Sequence, residues 1–251
     1  MIINLKYQLK LFKFIPNFLT LCNALLGCLS ILVLFNDFKI IDGFSSYELI
    51  VLFVLLASIL DFFDGFLARA LKSESKIGGQ LDSFSDSITF GLVPSLVMFD
   101  FLYNKTGIFT VSFISLTIFI CTILRLSKFN ISQYQKDFIG LPSPASGLFF
   151  IGLPFITSKI EVMYFLIIIL FISILMISNL KFYSLKNINS NEKKVFLILL
   201  VVTNLIAIGS ALMFDISAFS IPTMIILSYL TSSSLSLLFN RLNSSSWSLC
   251  M

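Results

Sequence analysis

Four aspartates are the residues of this sequence best suited to chemistry, because each falls inside or at the edge of a long apolar run. Asp61 and Asp64 are three positions apart, and Asp82 and Asp86 are four positions apart. On a helix, either spacing places both side chains on one face. Placing a charged side chain in a bilayer costs at least about 2.5 kcal/mol, so such residues are candidates for function.

The stretch between the two pairs contains a short basic turn at 72–77, so the two helices are predicted to be antiparallel neighbours. The four carboxylates would then converge near one end of both helices and repel one another. A bound divalent metal removes that repulsion, and oxygen ligands without His or Cys favour Mg²⁺ or Mn²⁺. Two such ions in a carboxylate cluster are a known arrangement for phosphoryl transfer.

The remaining residue types narrow the chemistry further. The chain contains no His, which removes the commonest general base and the commonest metal ligand. Its four Cys, at 22, 28, 121 and 250, show no C-x-x-C spacing, so we predict neither a zinc site nor a disulfide framework. A catalytic base must therefore be a carboxylate, a Lys, an Arg, a Tyr or a hydroxyl group.

The amino-acid composition indicates that these residues lie on membrane-spanning helices. Of the 251 residues, 57% are hydrophobic and 12% are charged, whereas about 25% are charged in an average soluble domain. We therefore predict an all-α fold, a polytopic membrane helix bundle. A helix needs about 20 apolar residues to cross the hydrocarbon core. Eight such segments are predicted: 16–36, 47–71, 78–103, 107–127, 143–158, 160–181, 194–213 and 217–239.

The distribution of positive charge orients this bundle. With the N-terminus in the cytoplasm, 14 of the 17 Lys and Arg lie on the cytoplasmic side, and only Lys39, Lys105 and Lys159 lie outside. This asymmetry satisfies the positive-inside rule and places both termini and the aspartates on the cytoplasmic side of the membrane. The sequence shows no transit-like or eukaryotic feature, so we expect a bacterial inner membrane. Residues 1–15 are predicted to form an amphipathic interfacial helix, residues 16–242 the transmembrane domain, and residues 243–251 a disordered tail.

The aspartates belong to a longer pattern of fixed residues and spacings. The pattern is Asp61-x2-Asp64-Gly65-x2-Ala68-Arg69-x8-Gly78-x3-Asp82-x3-Asp86. It resembles the signature of the CDP-alcohol phosphatidyltransferase family, with every position filled. The resemblance implies that the first spans surround a polar cavity open to the cytoplasm, that the protein is a homodimer, and that CDP-diacylglycerol is the donor substrate.

The resemblance also implies roles for individual residues. Asp61, Asp64 and Asp82 would bind Mg²⁺ or Mn²⁺, as two ions, and Asp86 would complete the metal site and act as the base. The residues expected to bind CDP-diacylglycerol are Gly65, Ala68, Arg69 and Gly78 of the signature, with Asn17 and Thr20 of the first span. For the glycines the alternative is close helix packing. Arg69 could instead hold a neighbouring aspartate, and Asn17 and Thr20 could cap and pack the first span.

Further segments resemble the branch of the family that uses L-serine as acceptor. They are residues 15–17 with Thr20 and Asn23, residues 81–94, residues 125–130 and residues 140–145. Arg125 and Lys128 are the cations expected to bind the acceptor carboxylate, unless they are only flanking charges of the fourth span. The chain has Ser127-Lys128 where the branch is expected to have Ala-Arg. A Lys keeps the charge but lacks the bidentate geometry of Arg.

Other functions are compatible with parts of the pattern. The same chemistry could serve glycerol 3-phosphate, inositol or another amino alcohol, and a phosphorylated acceptor would need more cationic groups. An ion transporter would also place carboxylates in the membrane, although usually near its midplane and with broken helices. A membrane scaffold would not need four carboxylates at this spacing. We expect substrates and membrane lipid as partners, and no nucleic acid.

Overall fold

A computed structural model describes residues 14–36, 43–131, 140–156, 161–180, 191–213 and 217–247. All regular secondary structure within these ranges is helical, which confirms the all-α prediction. Five helices in the described ranges are long and apolar enough to cross a membrane. The protein is therefore an integral membrane protein. The predicted amphipathic helix at 1–15 falls outside the described residues, apart from residues 14 and 15.

Ten α-helices are described, some of them joined by other helical turns. They are α1 (Ile15–Asn36), α2 (Ser46–Ala70), α3 (Lys76–Asp86), α4 (Val93–Thr106), α5 (Phe109–Ser112), α6 (Leu116–Ile131), α7 (Ser143–Gly152), α8 (Val162–Ile177), α9 (Asn191–Met213) and α10 (Ile221–Trp247). A π-helical segment, Ser87–Leu92, joins α3 to α4, so that one helical element runs from Lys76 to Thr106. Short 3₁₀ turns follow α5, follow α7 and precede α10.

Each of the eight predicted apolar segments coincides with a helix, but the helices differ in length. Five reach spanning length, α9 has 23 residues, and Ser143–Phe155 and Val162–Ile177 are shorter. The last helix extends beyond its predicted segment, because α10 continues to Trp247. The prediction of a disordered tail from residue 243 was therefore wrong for residues 243–247. That stretch contains no Gly or Pro to stop a helix.

The end of α2 determines how closely α3 can follow it. The Lys72 N–H donates to the Arg69 carbonyl at 3.1 Å. The Ser73 N–H donates to the Ala68 carbonyl at 2.9 Å. These two bonds form a Schellman motif, with Lys72 in the left-handed region at φ 50°. Only residues 71–75 separate the two helices, so α3 begins directly after α2, and both helices pack against α1.

The short helix α7 lies at the centre of the bundle. One hydrophobic core packs its Phe149 and Phe150 against α4, α6 and α8, and a second core packs its Ile151 against α1, α2 and α4. A Cβ atom at Gly147 would lie 2.9 Å from the Cα of Phe90, so this position allows the close approach of two helices that is common in membranes. Because α7 is enclosed by other helices, it need not match the thickness of the bilayer.

Candidate active site

The start of α1, the end of α2 and the start of α3 enclose a cleft of about 180 Å³. Its lining residues are Pro16, Asn17, Thr20, Asp64, Gly65, Ala68, Arg69, Ser73, Glu74, Ser75, Gly78, Gly79 and Asp82. All six residues predicted to bind CDP-diacylglycerol are among them. The structure thus brings these six residues to one surface together with two of the aspartates, and their role in binding stays a prediction.

Three of the four aspartates form a compact group at this cleft. Asp61 and Asp64 of α2 and Asp82 of α3 each offer one carboxylate oxygen, and these oxygens lie within 4.8 Å of one another. Two oxygens on opposite sides of one Mg²⁺ ion are about 4.2 Å apart, because each Mg–O distance is about 2.1 Å. The spacing and the all-oxygen donor set therefore fit a divalent cation of the Mg²⁺ or Mn²⁺ type.

Asp86 lies one helical turn beyond Asp82 on α3 and is buried like Asp64, whereas Asp61 and Asp82 are partly exposed. Its side chain is 6% exposed, and its Oδ1 atom has no hydrogen-bond partner. Asp61 faces both Asp82 and Asp86 at hydrogen-bonding range. The four predicted carboxylates therefore form one cluster, in which Asp86 stands at the inner end and outside the compact group of three.

Hydroxyl groups on α1, on α3 and on the π-helical segment after α3 hold the helices of the site together. The Thr20 hydroxyl donates to Asp64 Oδ2 at 2.6 Å. In return, the Ser85 hydroxyl donates to the Thr20 carbonyl at 3.1 Å, and the Thr89 hydroxyl donates to the Asn23 carbonyl at 3.2 Å. These bonds fix α1 against both helices that carry the aspartates, so the first helix positions the site without contributing a carboxylate.

Comparison with known proteins identifies the family to which this site belongs. The sequence profile of the CDP-alcohol phosphatidyltransferases matches residues 13–230, which is most of the chain. The chain belongs to the CDP-alcohol phosphatidyltransferase family. The signature predicted from the sequence at 61–86 lies inside the matched range, at the cleft and the carboxylate group.

Relatives from three organisms are each named CDP-diacylglycerol–serine O-phosphatidyltransferase. The protein from Bacillus subtilis is 38% identical over 148 residues, which cover 57% of this chain and 76% of the relative. The protein from Helicobacter pylori is 30% identical over 196 residues, covering 74% and 78%. The protein from Methanocaldococcus jannaschii is 31% identical over 195 residues, covering 77% and 83%.

Two glycines of the family signature lie against polar groups of the cleft. A Cβ atom at Gly65 would lie 3.5 Å from Nη1 of Arg69. A Cβ atom at Gly78 would lie 3.0 Å from Oδ1 of Asn17. Gly78 therefore allows α3 to approach α1 closely, which agrees with the packing alternative, and the same contact forms part of the cleft wall. Arg69 lines the cleft, and its charge attracts that of Asp64.

The two cations predicted to bind the acceptor have different surroundings in this phosphatidyltransferase. Arg125 is buried, and its Nη1 donates to the Ser143 hydroxyl at 2.9 Å, whereas its Nε has no hydrogen-bond partner. The charges of Arg125 and Asp86 attract each other. Lys128 is exposed and donates to the Ile177 carbonyl at 3.3 Å. Arg125 therefore lies toward the carboxylate cluster, and Lys128 holds the C-terminal end of α8.

Several residues at the site were not predicted from the sequence. Ser73, Glu74 and Ser75 line the cleft, and their position in the turn between the two halves of the family signature could have indicated this. Asn23 is fully buried, and neither atom of its amide group has a hydrogen-bond partner. Its position one turn after Thr20 was the signal that could have marked it as part of the site.

Proposed function

We propose that this phosphatidyltransferase moves the phosphatidyl group of CDP-diacylglycerol to the hydroxyl of L-serine and forms phosphatidylserine and CMP. The carrying observation is the group of three carboxylate oxygens within 4.8 Å of one another, beside a cleft that all six predicted donor-binding residues line. The reaction type follows from the family. Serine as acceptor is supported by the names of relatives from three organisms.

Asp61, Asp64 and Asp82 would hold Mg²⁺ or Mn²⁺ through their grouped oxygens. Asp86 adjoins Asp61 and would complete a second metal position at the inner end of the cluster. When bound, the two ions supply positive charge that offsets the charge of the pyrophosphate and of the departing CMP. Carboxylate oxygens suit such hard cations. All three grouped ligands are carboxylates, and the chain contains no His.

The donor would bind with its head group in the cleft and its acyl chains in lipid. Phe62, Phe63 and Phe66 are exposed on α2 next to the metal-binding aspartates, so apolar surface adjoins the site on the side where the chains would lie. Asn17, Thr20, Gly65, Ala68, Arg69 and Gly78 would surround the cytidine and the pyrophosphate. Arg69 carries the positive charge suited to a phosphate oxygen.

In the proposed reaction, the acceptor hydroxyl oxygen attacks the phosphorus that carries the diacylglycerol. A new P–O bond forms while the bond from this phosphorus to the bridging oxygen breaks, and its electron pair leaves with CMP. Asp86 accepts the hydroxyl proton, because its buried Oδ1 has no hydrogen-bond partner. Burial of Asp86 excludes water from this position, which disfavours hydrolysis of the donor.

Arg125 is the residue proposed to bind the serine carboxylate. Its unpartnered Nε can donate to an anion, and its guanidinium lies on the side of Asp86. Lys128 already donates to the end of α8, so we assign it a supporting role. Glycerol 3-phosphate and inositol are the alternative acceptors. A phosphorylated acceptor would place two negative charges next to Asp86 and would need further cations.

The proposal includes the arrangement of the protein in the membrane. Eight spans with both termini and the active site in the cytoplasm of a bacterial cell would agree with the 14 to 3 distribution of Lys and Arg. In this arrangement α7, α8 and α9 would also cross the bilayer, α7 within the bundle and α8 and α9 with apolar faces exposed to lipid. A homodimer in the inner membrane is the oligomeric state that we propose from the family resemblance.

The proposed function is tested by measuring CMP release from CDP-diacylglycerol in detergent with Mg²⁺ or Mn²⁺. Serine, glycerol 3-phosphate and inositol are offered separately, and the lipid product is identified by mass spectrometry. We expect serine-dependent release that Asp82→Asn and Asp86→Asn abolish, with Asp100→Asn as the matched control, since Asp100 bonds to Tyr47 outside the cleft. Release with another acceptor alone would refute serine, and no release from folded protein would refute the reaction.

A further inference from the structure

The N-terminal end of α7 faces the buried guanidinium of Arg125. Ser143 is the first residue of α7, and its hydroxyl accepts the hydrogen bond from Arg125 Nη1. The residue before it, Pro142, offers no side-chain cap to the helix. The first amide groups of an α-helix carry a partial positive charge that favours an anion. Two positive groups therefore adjoin each other at this point.

This arrangement is unfavourable unless an anion lies close to both groups. Arg125 is 9% exposed, and its Nε has no hydrogen-bond partner. Asp86 attracts Arg125 through the interior, but its own Oδ1 is also without a partner. A buried, unpartnered donor of a charged group is costly. A small carboxylate could accept bonds from Nε of Arg125 and from the Ser143 and Ala145 amides at the helix end, whereas Pro144 has no N–H to donate.

We propose that the carboxylate of the acceptor amino acid binds between the Arg125 guanidinium and the N-terminal turn of α7, and that Ser143 positions the guanidinium for it. This inference rests on the proposed function. It adds a site that would discriminate amino-acid acceptors from neutral alcohols. Asp86, whose charge attracts that of Arg125, would then be close to the acceptor hydroxyl, whose proton it would accept.

The last turn of α8 and the residues just after it anchor the segment that leads into α7. The Gly140 N–H donates to the Leu180 carbonyl at 2.9 Å, and the Leu141 N–H donates to the Leu175 carbonyl at 3.2 Å. Gly140 has a φ of 77°, and a Cβ atom there would collide with the Met176 carbonyl oxygen. This position requires glycine both for its backbone angle and for its space.

Lys128 strengthens the same anchor from α6. Its ammonium group donates to the Ile177 carbonyl at the C-terminal end of α8, where a cation interacts favourably with the helix dipole. The helix that carries Arg125 and the segment that leads to Ser143 are therefore both attached to the end of α8. We assign to α8 the function of setting the distance between Arg125 and the N-terminus of α7, which gives a late helix of the chain a role in acceptor recognition.

The test compares Ser143→Ala with the parent enzyme and with Ser146→Ala. Ser146 is buried in the same helix turn and donates to the Ser143 carbonyl at 3.0 Å, so its variant controls for the loss of a buried hydroxyl. L-Serine is compared with L-serinamide, which keeps the hydroxyl and the ammonium groups and lacks the anionic carboxylate. Serinamide is measured both as acceptor and as competitor, and CMP release gives KM for each substrate.

We expect Ser143→Ala to raise KM for serine roughly 10-fold, as the loss of a bond to a charged group predicts. KM for CDP-diacylglycerol, the response to serinamide and the kinetics of Ser146→Ala should stay unchanged. Arg125→Lys keeps the charge but has no Nε donor, and it should lose most of the preference for serine over serinamide. Because this variant retains a long cationic side chain, it tests the site even if Ser143→Ala fails to fold.

Two results would overturn the inference while leaving the proposed function intact. One is a parent enzyme that uses serinamide as well as serine. The other is a Ser143→Ala variant that lowers kcat alone, or that weakens both acceptors equally, because either pattern indicates only a structural role. If the parent enzyme releases no CMP with serine, the proposed function fails first, and this outcome is distinguishable because it needs no variant.

Discussion

Replacing Thr20 by Val tests whether the first helix tunes the carboxylate group. The Thr20 hydroxyl is buried and donates to Asp64 Oδ2 at 2.6 Å. Val has nearly the same shape but no donor, so the substitution removes this bond and leaves the packing of α1 almost unchanged. If Asp64 binds metal as proposed, loss of the bond changes the orientation and basicity of that ligand.

Two estimates of the free energy lost with the Thr20–Asp64 hydrogen bond agree in magnitude. A hydrogen bond to a charged group contributes about 1.5–3 kcal/mol. Loss of an outer-shell partner of a metal ligand typically lowers metal affinity or activity about 10- to 100-fold, which corresponds to about 1.4–2.7 kcal/mol. We therefore expect the Mg²⁺ or Mn²⁺ concentration for half-maximal activity to rise about 10- to 100-fold in Thr20→Val. Activity at saturating metal should fall less than this.

The assay is CMP release as a function of metal concentration at saturating CDP-diacylglycerol and serine. Thr20→Ser keeps the hydroxyl and should behave like the parent enzyme. Thr89→Val is the matched control, because Thr89 is equally buried and donates to the Asn23 carbonyl on the same helix, not to an aspartate. An unchanged metal requirement in Thr20→Val, or an equal shift in Thr89→Val, would refute a specific link between α1 and the metal ligand.

Three further substitutions test donor binding, protein stability and the role of the unpartnered Asn23 amide group. Gly78→Val would press a side chain against Asn17, which a Cβ atom alone would approach at 3.0 Å, so KM for CDP-diacylglycerol should rise while KM for serine stays constant; equal rises in both would argue against a donor role. Tyr47→Phe removes a 2.6 Å bond to Asp100 and should lower the thermal midpoint in detergent by about 3 °C or more with unchanged kinetics; altered kinetics would contradict this separation. Asn23→Leu removes two unpartnered buried amide atoms and should raise the thermal midpoint, and a lower midpoint would show that these atoms have partners in the working enzyme.

The sequence alone was sufficient to predict the aspartate cluster. Spacings of three and four residues determine which side chains share a helix face, and a short turn determines that two helices are antiparallel. Carboxylate oxygens of Asp61, Asp64 and Asp82 accordingly lie within 4.8 Å of one another, and Asp64 and Asp82 line the cleft. The six residues expected to bind the donor also line the cleft, and four of them belong to the family signature.

Features that depend on tertiary contacts could not be predicted in the same way. The π-helical segment Ser87–Leu92 follows Asp86 directly, and no local sequence pattern distinguishes it from ordinary helix. The shortness of α7 is possible because other helices enclose it, which hydropathy does not reveal. Lys128 was grouped with Arg125 on the basis of charge, but its bond to the Ile177 carbonyl depends on where α8 ends.

The division of tasks among the helices explains how an apolar bundle can hold four carboxylates close together. None of the four lies on α1, yet α1 contacts the helices that carry them through Thr20 and through its carbonyl groups, which accept bonds from Ser85 and Thr89. Such bonds replace the water that would otherwise solvate the polar groups, so their geometry is fixed before substrate arrives. On the opposite side of the cluster, Ser143 orients Arg125 in the same manner. Hydroxyl groups at the helix contacts therefore set the positions of the charged groups, and the charged groups remain available for metal and substrate.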